Sequence, residues 1–160
     1  MSLLNTELTM LDGSKRSFAD FQGQVVMIVN VASRCGLTPQ YEALEELQKK
    51  YAGRGFTVVG VPSDSFKQEL KSDSDIAEYC STTWGITFPM TQKAAVVGPK
   101  KHELYKALTK TKDRMGLAGP VMWNFEKFVL LPSGEIHRFR PTVKPDAPEI
   151  IELIEANLPS

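Results

Sequence analysis

VVMIVNVASRCGLTPQYEALEELQKKYAGRGFTVVGVP (residues 25–62) switches twice between two local preferences, and that switching decides the fold class. Val25 to Val31 is a nearly continuous β-branched run, the pattern of a central strand covered on both faces in an α/β sheet. Gln40 to Tyr51 then sets Leu44, Leu47 and Tyr51 on one helical face with charge around the remainder. Thr38 suits the N-cap and Pro39 the first turn, while Gly53 and Gly55 punctuate the end. Phe56 to Val61 is a second β-branched strand, stopped by Pro62. Strand, helix, strand in this order calls for a right-handed crossover and two parallel strands.

Working outward, Asp12-Gly13 is a turn signal between short alternations from Leu3 to Phe18, which predicts an N-terminal β-hairpin. Pro62 to Lys71 reads as a polar loop, and Ser72 followed by Asp75 resembles a capping box. The helix it opens carries Ile76, Tyr79 and Cys80 on one face and is expected to stop near Gly85. Residues 88–99 are ambiguous, His102 to Thr109 is a short helix, and Lys110 to Pro120 is a loop. Phe125 to Leu131 and Ile136 to Phe139 form a second hairpin about Ser133-Gly134. Pro148 to Ala156 closes the chain as an amphipathic helix with Ile150, Ile151 and Ile154 on its face. No repeat or linker interrupts residues 1–160, so one domain is expected.

Composition narrows the function classes. Nineteen basic residues balance nineteen acidic ones, which gives no electrostatic reason to expect nucleic acid. No apolar run approaches the roughly 18 residues of a spanning helix, and MSLLNTELTMLDG does not read as a signal peptide. A cytoplasmic location is the expectation, with a transient membrane-surface contact left open. Two cysteines 45 positions apart make neither a disulfide scaffold nor a CxxC pair, and His102 and His137 alone suggest surface roles rather than a metal cluster. Glu45 and Glu46 read as the solvated face of the first long helix.

Cys35 lies between a buried strand and a helix start, where open α/β folds place reaction sites. Free backbone N–H groups and the positive end of the helix dipole there favour thiolate over thiol. A small buried apolar residue is the bland reading, and flanking Arg34 and Gly36 count against it. Taken singly, Gln68 reads as a solvated loop residue, Trp123 as a core aromatic, Asn124 as a turn residue and Cys80 as a small core residue.

NVASRCGLT (30–38) resembles the active-site segment of the glutathione peroxidase family. The similarity continues through VPSDSFKQE (61–69), DIAEYCSTTWGITFP (75–89), WNFEKFVL (123–130) and RFRPTVKP (138–145), in the family's order. The resemblance implies an α/β, thioredoxin-like fold, a central mixed sheet flanked by helices with an N-terminal β-hairpin. It implies Cys35 as the peroxidatic residue and Gln68, Trp123 and Asn124 as its catalytic companions. Such donors stabilise negative charge without supplying a competing nucleophile. CSTTWG resembles the block that holds the resolving cysteine of thioredoxin-using members, which implies that role for Cys80. Phe125 and Phe128 are packing residues.

The implied function is reduction of hydrogen peroxide and organic or lipid hydroperoxides to water or alcohol, with recycling through a Cys35–Cys80 disulfide by thioredoxin. Glutathione as direct reductant and a non-catalytic peroxide sensor or redox relay are the alternatives. No cofactor or metal is implied. The sequence departs from the family after Pro62, where Ser63-Asp64-Ser65 replaces Cys-Asn-Gln and the loop before Gln68 is one residue shorter. An ionised Asp64 close to Cys35 would oppose thiolate formation, so it is expected to point away. Residues 110–122 are too short for the insertion of tetrameric members, so a monomer or small dimer is expected.

Overall fold

A computed structural model describes residues 3–159. The sheet is mixed. Strand β3 (Val25–Val31) pairs in parallel with β4 (Phe56–Pro62) and antiparallel with β5 (Lys127–Leu130), which pairs in turn with β6 (Ile136–Phe139), giving the order β4-β3-β5-β6. A separate hairpin, β1 (Glu7–Thr9) and β2 (Lys15–Ser17), precedes it. Asp12 turns that hairpin by accepting the Ser14 N–H at 2.9 Å, and Gly13 takes the left-handed conformation next to it. The mixed sheet, its flanking helices and the hairpin make this a thioredoxin-like α/β fold.

All seven residues of β3 are buried because both faces are covered. Val25, Met27, Val29 and Val31 pack with α1 (Gln40–Tyr51), α2 (Asp73–Tyr79) and α4 (Pro148–Asn157). Val26 and Ile28 pack on the other face with α3 (Glu103–Leu108), Phe18 and Phe21. The two-residue period of a strand sorts side chains between these layers. Each fully buried Val or Ile contributes roughly 1.5–3 kcal/mol. Gly60 admits a further segment: a Cβ there would lie 3.0 Å from Phe88. Its absence lets residues 88–91 run beside β4, with Gly60 donating to Pro89 and accepting from Thr91.

Several boundaries differ from expectation. Helix α1 begins at Gln40 with Pro39 at its N-cap and no side-chain cap, since Thr38 is engaged elsewhere. Helix α2 keeps the expected Ser72 cap, whose hydroxyl accepts from Asp75 N–H, but the winding widens into a π-helical turn over Cys80–Trp84 before Gly85. Strand β5 starts at Lys127 rather than Phe125, because Phe125 has φ 69° and cannot extend the ladder. His102 is the N-cap of α3 and accepts from Leu104 N–H, and burial lowers its pKa below the usual histidine value. Glu45 is not on the solvated face: it is buried and accepts hydrogen bonds from the Thr87 N–H and hydroxyl, whereas Glu46 is exposed.

Lys127 is fully buried and its ammonium donates to the carbonyls of Pro141 and Val143. Gln40 at the start of α1 donates to the same Pro141 oxygen, so one carbonyl ties the loop to both helix and sheet. Burial pushes the Lys127 ammonium down to about 7 from 10.5, against the opposing pull of Glu126. A folded value below the unfolded one makes the unfolded chain bind more protons, so stability rises with pH between those values and the penalty is complete below them. Lys127→Met is expected to flatten this slope: the variant gains on the wild type on going from about pH 10 to about pH 6.5, as urea melts would measure. A stability difference that stays constant with pH would contradict this.

Candidate active site

The site forms where β3 and β4 end and β5 begins, three loops at one edge of the sheet. The first is knotted by Thr38. Its hydroxyl accepts the Cys35 N–H at 2.9 Å and donates to the Ala32 carbonyl at 2.8 Å, while its N–H reaches the Cys35 carbonyl. This closes the turn tightly enough that the Leu37 N–H points at the Cys35 sulfur, 3.3 Å away. Cys35 is 7% exposed, more enclosed than its loop position suggests.

The second loop lies alongside. Arg34 N–H donates to the Gln68 carbonyl at 2.9 Å and Ser33 N–H to a Glu69 carboxylate oxygen at 3.1 Å, which also accepts from Leu70 N–H. Lys67 immediately before Gln68 has φ 59°, in the left-handed region that non-glycine residues seldom adopt. Asp64 is exposed, and its carbonyl accepts from Lys67 N–H.

The third loop is pinned by Asn30, a polar residue inside the β-branched run. Its carboxamide donates to the Trp123 carbonyl at 3.1 Å and accepts from Glu126 N–H at 3.1 Å, while its backbone carbonyl accepts from Phe125 N–H. Phe125 is a bulky residue held left-handed between these bonds, a strained conformation of the kind found at functional sites. Asn124 is thereby turned inward and fully buried, and its amide donates to the Gln68 side-chain oxygen at 3.2 Å. The Trp123 ring lies tilted against Phe66 with centroids 5.3 Å apart and remains 38% exposed. Met115, Leu117 and Met122, in the segment that precedes Trp123, are also exposed.

Of the residues singled out in the sequence, Gln68 and Asn124 are therefore hydrogen-bonded to each other, and Gln68 is bonded through its backbone to the Cys35 turn. Among the described residues, the hydrogen bond to the Cys35 sulfur comes from Leu37 rather than from those carboxamides. Two residues were missed. Asn30 could have been found as the polar interruption of a buried strand, since a buried amide must find partners. Glu69 is buried, and burial raises its pKa above the usual carboxylate value despite hydrogen bonds from Ser33 and Leu70. Oxygens of Ser33, Glu69 and Asn124 are buried without a hydrogen-bond partner. These polar oxygens lie on the three loops that adjoin Cys35, at the rim of the apolar cluster that contains it.

Cys80 lies deeper, 2% exposed at the start of the π-helical turn, and its thiol donates to the Tyr41 hydroxyl at 3.5 Å. Both cysteines are free thiols within one apolar cluster beneath α1. Burial pushes the Cys80 thiol up to about 11, with the Tyr41 hydroxyl opposing and the Glu69 charge adding to the shift. No helix among the described residues is long and apolar enough to cross a membrane. No cluster of three metal-ligating side chains occurs among them either.

A model of the glutathione peroxidase family matches residues 3–109. Thioredoxin/glutathione peroxidase BtuE of Escherichia coli (strain K12) is 42% identical, with 98% of this chain and 97% of that protein covered. The crystal structure of T. cruzi GPX1 is 30% identical and superposes with a TM-score of 0.72 over 96% of this chain and 93% of that one. A thiol:disulfide interchange protein of the thioredoxin family from Chlorobium tepidum TLS shares the fold, with a TM-score of 0.67 at 22% identity over 92% of this chain and 91% of that one.

Proposed function

Given that this chain belongs to the glutathione peroxidase family and is an oxidoreductase acting on peroxides, we propose that Cys35 is the peroxidatic nucleophile and that Cys80 resolves it. The Cys35 thiolate attacks the terminal oxygen of ROOH, the O–O bond breaks, and the leaving alkoxide takes a proton to become ROH. Cys35 is then a sulfenic acid. The Cys80 sulfur displaces its hydroxyl as water and forms the Cys35–Cys80 disulfide. A dithiol protein such as thioredoxin restores both thiols by exchange. Gln68, Trp123 and Asn124 hold the peroxide and the developing negative charge with N–H donors.

The observation that carries this reading is the meeting of three loops: the Cys35 turn is bonded to Gln68, and Gln68 to Asn124. The Escherichia coli relative is named for both thioredoxin and glutathione. The presence of Cys80 in this chain favours the dithiol route, while its depth favours direct reduction of Cys35 by an external thiol such as glutathione. A coupled assay separates them. With thioredoxin, thioredoxin reductase, NADPH and an organic hydroperoxide, the wild type is expected to consume NADPH continuously and Cys80→Ser at least about tenfold more slowly, since the oxidised Cys35 then lacks its partner. Full turnover by Cys80→Ser would remove the resolving role, and a single stoichiometric burst by the wild type would favour a peroxide sensor.

A further inference from the structure

Resting on the reading of Cys80 as the resolving residue, we propose that Tyr41 is a positioning residue whose hydroxyl latches the reduced Cys80 into the core and so limits the rate of disulfide formation. Tyr41 is fully buried in the first turn of α1, six residues after Cys35. Its hydroxyl accepts the Cys80 thiol at 3.5 Å, and its ring stacks on Trp84 with centroids 6.1 Å apart. One side chain therefore touches the first and last residues of the π-helical turn Cys80–Trp84. The other edge of the ring meets Phe125, beside Asn124, at 5.6 Å.

Two further side-chain hydrogen bonds brace that turn against α2, from the Thr82 hydroxyl to the Glu78 carbonyl at 2.8 Å and from the Trp84 indole to the Tyr79 hydroxyl at 3.1 Å. Ile76 and Cys80 are the buried residues of α2 and the turn, and Ser81, Thr82 and Thr83 are exposed. The backbone bonds that close it, from Gly85 to Ser81 and from Ile86 to Cys80, are both 3.2 Å. Those side-chain bonds stay within α2 and the turn and can move with it, whereas the thiol–hydroxyl contact and the Tyr41–Trp84 stack cross to α1 and so bear on whether Cys80 stays inside. Tyr41 does not act as a base, because burial, followed by the neighbouring Cys80, holds its hydroxyl well above the usual tyrosine range. It acts through position. While it is held inside, burial keeps Cys80 a protonated thiol, which is a poor nucleophile. Once released, its sulfur attacks the Cys35 sulfenic acid: the S–S bond forms, the S–O bond breaks, and the hydroxyl leaves as water with the thiol proton. Cys80 is oxidised and Cys35 reduced.

Tyr41→Phe removes the hydroxyl and keeps the ring on Trp84. After one equivalent of peroxide, rapid quenching and mass analysis would follow Cys35 sulfenic acid and the disulfide separately. The variant is expected to form the disulfide roughly two- to tenfold faster, the range that one neutral hydrogen bond supports, while Cys35 is oxidised at the wild-type rate. Equal or slower disulfide formation in a folded Tyr41→Phe overturns the latch. Absence of any Cys35–Cys80 disulfide in the wild type overturns the reading beneath it instead. If Tyr41→Phe does not fold, amide exchange of residues 80–86 in Cys80→Ala and Cys80→Ser decides, with Tyr41 intact. Serine keeps a donor for the Tyr41 hydroxyl and alanine does not, so faster exchange in Cys80→Ala supports the latch and equal exchange overturns it.

Discussion

Replacing Cys35 by serine is expected to lower peroxide turnover by on the order of a thousandfold or more, because the reacting atom itself is exchanged. A serine hydroxyl has nearly the size of the thiol and can accept the Leu37 N–H that now reaches the sulfur, so the turn closed by Thr38 is preserved. What is lost is nucleophilicity: at neutral pH a thiol supplies an appreciable anionic fraction and a hydroxyl does not. The measurement is initial rate with hydrogen peroxide and with an organic hydroperoxide, alongside mass analysis for sulfenic acid. The chain has two cysteines, which makes the control simple. If Cys35→Ser kept more than about a tenth of wild-type turnover, an effect too small for loss of the nucleophile, the reacting sulfur would have to be Cys80 and the scheme would be reversed.

Arg138→Leu is expected to cost about 3–5 kcal/mol of stability, the range for removing one partner of a buried ion pair. Arg138 and Glu126 are both fully buried and bonded to each other, and Arg140 donates to the same Glu126 oxygen at 2.9 Å. The remaining guanidinium N–H groups reach the carbonyls of Thr109, Thr111 and Pro120, so one side chain fastens both ends of the loop that leads to Trp123. Leucine would fill part of the volume but remove the Arg138 donor from the Thr111 and Pro120 oxygens, Thr109 keeping the Gly119 N–H, and weaken the neutralisation of Glu126. A fall in melting temperature of roughly 10 °C corresponds to this loss for a chain of this size. A change under about 1 kcal/mol would mean that Arg140 and solvent replace Arg138, and that the network is dispensable.

These two outcomes concern different parts of what could be read in advance. The place of Cys35 after a buried strand, the two parallel strands flanking α1, the N-terminal hairpin and the Ser72 cap were legible because each follows from a local pattern: a period of two or 3.6, a turn pair, a hydroxyl before a helix. Glu45 was misread for the same reason. Helical periodicity sets it beside Leu44 and Glu46 and contains nothing about Thr87, whose N–H and hydroxyl need an acceptor 42 residues away. Phe125 likewise continues a strand-like run, yet the Asn30 carbonyl draws its N–H into a left-handed turn.

The amino-acid order alone thus determined the alternation of strands and helices, which faces are apolar, and that a cysteine stands at the end of a buried strand. Only the folded arrangement decided that Gln68 meets Asn124, 56 residues away, that Asn30 fastens the Trp123 loop across 93, and that Cys80 is held by Tyr41 across 39. The reason is physical: short-range sterics and hydrophobic period act within a few residues, whereas those contacts exist only once the order and register of β4, β3 and β5 have brought three loops to one edge.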